Sequence, residues 1–448
     1  MPWIDGDLLT PDNLNYTGIG GYRIFNVREY GATGDGSTND AADIQEAIDA
    51  AEAAGHGIVY YPPGTYNFTT ALTQTGNNIL HVGAGYSSKL VSGVSSGVAF
   101  YVNDNTAGGG SITGFQMKDL WIAGGAGETT LLRCDYCLDG RMQNVKISDS
   151  TGIGFYGGRA QNFVMAGCEV RDNDSWGIDI GADAAGTQGQ TFRALYNTIK
   201  DNGFTTAATG GIRLSGGSEH IVALNQIESH QDQANNKGIH CLTDRTILIG
   251  NVFEANTVNI EFGSGAVSCD GTLAAFNAAV GGEFRFTQYT NCIAAFNLLS
   301  GSWTATFGTD EGNKYTAWRY NVGTPGNITN SATAGKVIIE DLFNGATSDL
   351  QATFTSLDAT PSVAGYRVFR TANGGATTIT NFDDGYTGKQ ITIIVEDANT
   401  TIQNGTSIFT DTGADLTPSN GDLLHFVALS GTGAGNTPAW YLIRHITP

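Results

Sequence analysis

Charge is scarce in this sequence. Only 15% of its 448 residues are Asp, Glu, Lys or Arg, against about 25% in an ordinary soluble domain. What charge there is leans one way: 22 Lys and Arg oppose 43 Asp and Glu, for a formal net charge of −21. A surface of that sign repels phosphate backbones and argues against a nucleic-acid partner. Acidic polysaccharides stay open as ligands where cations line a groove. No apolar run approaches the roughly 18 residues of a membrane span, so none is expected. The stretch MPWIDGDLLTPDNLNYT lacks the basic and apolar regions of a signal peptide, and no signal peptide is expected. GATGDG has phosphate-loop-like glycines but no Gly-Lys-Ser/Thr after them, which argues against nucleotide binding. No compact oxygen-ligand loop for Ca²⁺ occurs. Cys134 and Cys137 form a C-x-x-C with no second ligand pair, a weak zinc signal. Cys168, Cys241, Cys269 and Cys292 stand among small apolar residues and read as reduced core thiols. No metal and no cofactor is expected.

Glycine is plentiful, with 62 residues, and Thr and Asn accompany it. That mix suits short strands joined by many turns. An internal period organises the middle of the chain. An apolar position recurs at Val145, Val170, Ile199, Ile227, Phe253, Ala279 and Leu299, at intervals of 20 to 29 residues. Two residues before the last five of these stand Asn197, Asn225, Asn251, Asn277 and Asn297. A second element follows each first one: GIGF (152–155), GIDI (177–180), GIRL (211–214), GIHC (238–241), NIEF (259–262) and EFRF (283–286). A third precedes each Asn, as in HIVALN and TILIGN. Three short strands per repeat and no helix predict a parallel β-helix, each rung about 4.8 Å from the last. The Asn column then reads as side-chain amides bonding to one another along the coil axis.

Ahead of the repeats, NDAADIQEAIDAAEAAG predicts one helix at about 39–54. Asn39 or Asp40 caps it, Ile44 and Ile48 share a face, and Gly55 stops it. Such a helix can cover the open apolar end of a coil. NVREYGATGDGSTNDAADIQEAIDAA followed by GIVYYPPGTY resembles the N-terminal signature of the pectate-lyase-like β-helix superfamily, which includes many phage tailspike depolymerases. The resemblance covers residues 20–330 and implies a right-handed parallel β-helix acting on a polysaccharide. DGDLLTPDNLN resembles the short leader of phage tail proteins, and residues 350–448 resemble their C-terminal β-domain. The resemblance also implies a homotrimer in an extracellular or virion-associated setting. YRVFR, TTITNF, KQITIIVED, LLHFVAL and AWYLIRH alternate with period two between turn residues and predict an antiparallel β-sandwich. The expected organisation is a leader (1–20), the β-helix (21–330), a linker (331–350) and the sandwich (351–448). His425 and His445, in the last, read as packing or surface residues.

In the GI-x-φ element the flanking apolar residues point inward and x points out. Column x reads Gly154, Asp179, Arg213, His240, Glu261 and Arg285. The outward column after the first element reads Lys146, Arg171, Lys200, Glu228 and Glu254. Long connections at 181–190, 201–210 and 229–238 beside short ones make walls and a floor, with a groove expected around Arg213, His240 and Glu261.

Three chemistries fit these columns. Glycoside hydrolysis needs two carboxyl groups, about 5 Å apart for retention of configuration. Glu228 and Glu254 on adjacent rungs meet that spacing, with Glu261 and Asp179 as alternatives; Asp172 and Asp201 are another same-register pair. Arg213, His240, Lys200, Arg285 and Asp201 would then bind sugar. β-Elimination on a uronate polymer needs a base and a carboxylate neutraliser, roles that fit His240 and Arg213. The third is glycan binding without cleavage, with Trp176, Tyr156 and Phe204 as stacking candidates. Against all three stands pairing of acids and bases across neighbouring rungs, worth about 0.2–1 kcal/mol each. Ser218, Glu219 and His220 are sequence neighbours and do not form a triad by themselves.

Overall fold

Each strand of the repeat pairs with its counterpart one repeat later, always in parallel. The second element runs from Ile178–Gly181 to Gly210–Leu214, Lys237–Cys241 and Val258–Phe262. The first runs through Glu169–Arg171, Thr198–Lys200, Gln226–Glu228 and Val252–Glu254. The third runs from Gln190–Leu195 through Ile221–Ala223, Ile247–Ile249 and Leu273–Ala275 to Ile293–Ala295. The result is an all-β parallel solenoid. This computed structural model describes residues 23–447 apart from 104–110, 184–185, 231–232, 265–266, 268, 308–315, 320, 324–326, 331–336, 341–342, 345–350, 364–365 and 430–437. The leader expected at 1–20 and most of the linker expected at 331–350 lie outside the described residues; Val337–Glu340, inside that linker, is a strand.

The core is a stack of like on like. Ile178, Ile212, Ile239, Ile260 and Phe284 follow one another inside the coil, all fully buried. Burial of each contributes roughly 1.5–3 kcal/mol. Polar groups inside the coil are satisfied along its axis. Asn197, Asn225, Asn251, Asn277 and Asn297 are buried. Each amide donates to the Oδ1 of the next, at 2.9, 2.9, 3.1 and 3.0 Å. The residue before each Asn turns the chain inward through the left-handed region: Tyr196, Leu224, Gly250, Phe276 and Phe296 have φ of 57, 59, 66, 55 and 56°. A second turn column, not evident in the sequence because a histidine interrupts it, stacks Asn173, Asn202, His230 and Asn256 after left-handed Asp172, Asp201, Ser229 and Ala255.

The expected register fails by two residues in one repeat. Val170 pairs with Ile147 rather than Val145, and Asp179 lies beside Tyr156 rather than Gly154. A one-residue slip would turn the pattern inside out, but a two-residue slip preserves inward and outward faces. Alternation alone therefore cannot detect it.

Among the described residues the one α-helix runs Ala41–Ala53 and buries Ala41, Ile44, Ala47, Ile48 and Ala51. It packs against Gly57–Tyr60 and Leu72–Gln74. Asp40 holds the N-cap position, yet its carboxylate accepts from the Thr33 N–H at 2.7 Å instead of capping the helix. Gly34, in that same loop, has φ +62°, and a Cβ there would lie 2.7 Å from the Tyr66 ring. The glycines of GATGDG thus serve a tight turn. All six cysteines are buried and unpaired by disulfide; Cys241, Cys269 and Cys292 stack with sulfurs 3.6 and 3.9 Å apart.

The chain divides into two compact units, Met1–Thr306 and Phe307–Pro448. The second unit's main sheet is mixed, which corrects the expectation of a wholly antiparallel one. Gln351–Thr353 pairs in parallel with Val368–Arg370, and that strand in parallel with Gln390–Ile394. Only Leu423–Leu429 pairs antiparallel, with Gln390–Ile394 and with Ala439–Ile446. Period-two alternation is the same for both directions, so it could not distinguish them. Trp440, Phe382, Phe426 and Ile393 centre its core. His425 meets Thr392 Oγ1 at 2.9 Å and His445 meets Asp422 at 2.8 Å.

Candidate active-site face

The x column is longer than its motif. Tyr101, Arg133, Tyr156, Asp179, Arg213, His240, Glu261 and Arg285 stack in unbroken register. Tyr101 and Arg133 escaped sequence reasoning because VAFYV and TLLRCD lack the Gly-Ile signature. A usable signal existed: each is flanked by inward residues, Phe100 and Val102 or Leu132 and Cys134. Arg133 lies between two rings, its guanidinium 5.6 Å from the Tyr101 centroid and 4.7 Å from that of Tyr156. Buried Asp135 holds both neighbours, accepting from the Tyr101 hydroxyl at 2.6 Å and from Arg133 Nε at 3.0 Å. Burial and that carboxylate push the Tyr101 hydroxyl pKa up to about 12.

Further along, the column is roofed rather than open. Asp179 is fully buried and ion-paired with Arg213, whose Nε donates to it at 2.8 Å; the Ser215 hydroxyl donates at 3.2 Å. Glu261 is 7% exposed. It meets Lys237 Nζ at 3.1 Å, His240 Nε2 at 3.7 Å and an Arg285 nitrogen at 3.7 Å, and accepts from Thr287 Oγ1 at 2.9 Å. Buried Trp176 stacks on His240 at 6.0 Å, with the Arg213 guanidinium 5.5 Å from its ring. The residues that lead into these strands, Trp176, Asn235 and Lys237, fold back over the column; Asn235 Oδ1 accepts from Arg285 at 3.4 Å. Pattern told which side Asp179 and Glu261 face, but not what covers that side. Removing the guanidinium in Arg213→Met strands a buried carboxylate, and the expected loss is roughly 3 kcal/mol. A urea titration checks this; a loss below about 1 kcal/mol would contradict the reading.

Burial also sets a pH response. It lowers the imidazole pKa of His81 to about 3, and those of His220, His230 and His240 to about 4. In the unfolded chain each titrates near the ordinary value of about 6.5. Between those values the unfolded chain binds protons that the folded chain does not. Stability therefore falls as pH drops from about 6.5 toward 4, by about 1.4 kcal/mol per pH unit for each histidine, and is untouched by these groups above 6.5. The urea midpoint is expected to be lower near pH 5 than near pH 7; equal midpoints would refute this.

The other column behaves differently. Ser148, Arg171, Lys200, Glu228, Glu254 and Val280 stand in register, Lys146 lying two residues earlier. Arg171 is surrounded by Glu169, Asp172 and Asp201. Burial, and then the Asp172 carboxylate, raise the Asp201 pKa. Glu228 is half-buried and accepts from Gln226 Nε2 at 2.9 Å. Glu254 is exposed. Among the described residues, no ion pair within 4.0 Å engages Glu228, Glu254 or Lys200. The structure thus sorts the candidates into two tracks. Asp179, His240 and Glu261 lie under the roof of the first, with Arg213 and Arg285 part-exposed at its edge, and Lys200, Glu228 and Glu254 lie in the accessible one, with Asp201 at its turn. Phe204 is exposed in the 201–210 connection.

Comparison with known proteins adds relatives. The chain is 42% identical over 110 residues to mannuronan C5-epimerase AlgE3 of Azotobacter vinelandii, covering 22% of this chain and 6% of that protein. It is 35% identical over 114 residues to alginate lyase 7 of the same organism, covering 23% and 13%. The chain thus matches only a small part of either relative's length. Among solved structures, tailspike gp49 of Pseudomonas phage LKA1 is similar at 10% identity, covering 84% of this chain and 90% of that one, with a TM-score of 0.48. Residues 24–259, more than half of the sequence, match the model of a family described as rhamnogalacturonase A/epimerase, pectate lyase-like, and the chain belongs to that family.

Proposed function

We propose that this chain is a polysaccharide depolymerase, a glycoside hydrolase whose carboxyl pair is Glu228 and Glu254. The observation that carries this is their placement, directly opposite one another on adjacent parallel strands and free of ion pairs among the described residues. Adjacent strands lie about 4.8 Å apart, which suits the roughly 5 Å separation of a retaining mechanism. One carboxylate attacks the anomeric carbon while the other, protonated, donates to the leaving oxygen; water then releases the glycosyl enzyme with that second group as base. Asp179 and Glu261, the alternatives, are already engaged by cations. Lys200 and Asp201 would contact sugar beside the pair, and Arg213, His240 and Arg285 along the neighbouring column. The same proposal includes a right-handed coil at 21–330 capped by the helix, a C-terminal sandwich at 351–448, a homotrimer, and an extracellular or virion-associated setting.

A second reading is chemistry at C5 of a uronate polymer, favoured by relatives whose names specify mannuronan and alginate. There His240, held neutral by burial, is the base and Arg213 the carboxylate neutraliser. A panel of neutral and uronate polysaccharides separates the two. New reducing ends without the ultraviolet absorbance of an unsaturated sugar support hydrolysis. Both signals rising together support elimination. Binding with neither signal would sink cleavage on that panel.

A further inference from the structure

The turn that carries the Asn column has an unexplained occupant. Tyr196, Leu224, Phe276 and Phe296 hold left-handed backbone, φ 55–59°, where a side chain costs roughly 1–2 kcal/mol. Glycine meets the same need on the rung of Gly250. The turn after the accessible track uses Asp172, Asp201, Ser229 and Ala255, all small or polar. The four large apolar side chains are nevertheless 46–64% exposed. Further apolar side chains flank them: Val252 and Leu298 two residues after the turn position, Ile247 and Ile293 three before it, all exposed. Segments 221–226, 247–252, 273–278 and 293–298 contain no charged residue at all, and 193–198, around Tyr196, contains one cation, Arg193, and no carboxylate. With about 150–250 Å² for each large side chain, the strip exposes on the order of 800 Å², more than a monomer ordinarily leaves bare.

We propose that this strip is the surface through which copies of the chain associate. The rings argue against a sugar platform. Phe276 and Phe296 stack on each other, 5.2 Å apart and 7° from parallel. Their faces thus point along the coil axis, whereas a sugar-stacking ring presents its face outward. A second copy fits on three counts. The net charge of −21 sets copies against one another, and these segments, which hold no Asp or Glu, let them touch without opposing carboxylates. A straight strip parallel to the coil axis matches itself under a rotation axis of the same direction. Its area is about one partner's share, some 800 Å², of a standard interface. Association would cover the side chains whose exposure and backbone strain the single chain leaves unexplained.

The test is the mass of the full chain in solution, by sedimentation at micromolar concentration. The wild type is expected to run as an assembly of 47.0 kDa chains. Phe276→Asn with Phe296→Asn is expected to shift it to monomer, raising the dissociation constant at least about 100-fold. Asn accepts left-handed backbone, so the urea midpoint measured on monomer should not fall. Leu224→Asn, a milder change on a different rung, should weaken assembly in the same direction. A monomeric wild type overturns the proposal, and so do folded variants that assemble as tightly as the wild type. None of these readings depends on activity, so they stand apart from the fate of the hydrolase assignment.

Discussion

Glu254→Gln is expected to abolish most polysaccharide cleavage, lowering kcat by about 10²–10⁴-fold. The substitution keeps shape and hydrogen-bonding capacity and removes only the ionisable oxygen. Glu254 is exposed and in no ion pair among the described residues, so the fold should not notice, and the urea midpoint should match the wild type. Glu228→Gln should show a loss of similar size, because the two groups act as a unit and neither does the other's work. Initial rates of reducing-end formation on a polymer that the wild type cleaves are the measurement. Full activity in Glu254→Gln would remove it from the mechanism. If both Gln variants are active while His240→Gln is not, the C5 reading gains and the carboxylate pair becomes a binding feature.

Asn251→Ala is expected to be the most damaging substitution in the Asn column. The Asn251 side chain accepts from the Asn225 N–H at 3.1 Å and from the Asn225 amide at 2.9 Å, and donates to the Val222 carbonyl at 2.9 Å and to Asn277 Oδ1 at 3.1 Å. Asn277 Oδ1 keeps the Asn251 backbone N–H at 2.9 Å. The other three groups lose a partner in a buried turn, at about 1–2 kcal/mol each. The sum, roughly 3–6 kcal/mol, should appear as a lower denaturant midpoint. Hydrogen exchange should quicken on the rungs of Asn225 and Asn277 first, since a solenoid rung is supported only by its neighbours. A cost below about 1 kcal/mol would mean that water enters the turn and replaces the amide.

The repeat was legible because the coil stacks equivalent positions. Five asparagines in one register could be read as a ladder, and the inward apolar residues named the core. What was not legible follows from symmetries of the strand itself. A two-residue slip leaves faces unchanged, so alternation assigns Gly154 the place that Tyr156 holds. Parallel and antiparallel strands share one alternation, so the second unit's sheet was misread. Arg133 and Tyr101 lack a local motif and join the column only through pairing 23 to 32 residues away. Outward is also not the same as exposed. Asp179 and Glu261 face away from the core, but Arg213 and Lys237 cover them through contacts that alternation does not encode. Glu228 and Glu254 were placed together by register alone, which is why the sequence could pair them.

The bonds from one Asn to the next all run the same way, while the second N–H of each amide gives back to a carbonyl of the preceding repeat. From Asn197 to Asn277, each backbone N–H and each side-chain amide gives to the Oδ1 of the following repeat. A completed rung therefore holds donors out toward its C-terminal edge and waits for the next oxygen. A ladder can start at either edge, but growth from the N-terminal side follows the order in which a ribosome releases the repeats. The nascent chain can lock each repeat onto a finished template while the rest is still unmade.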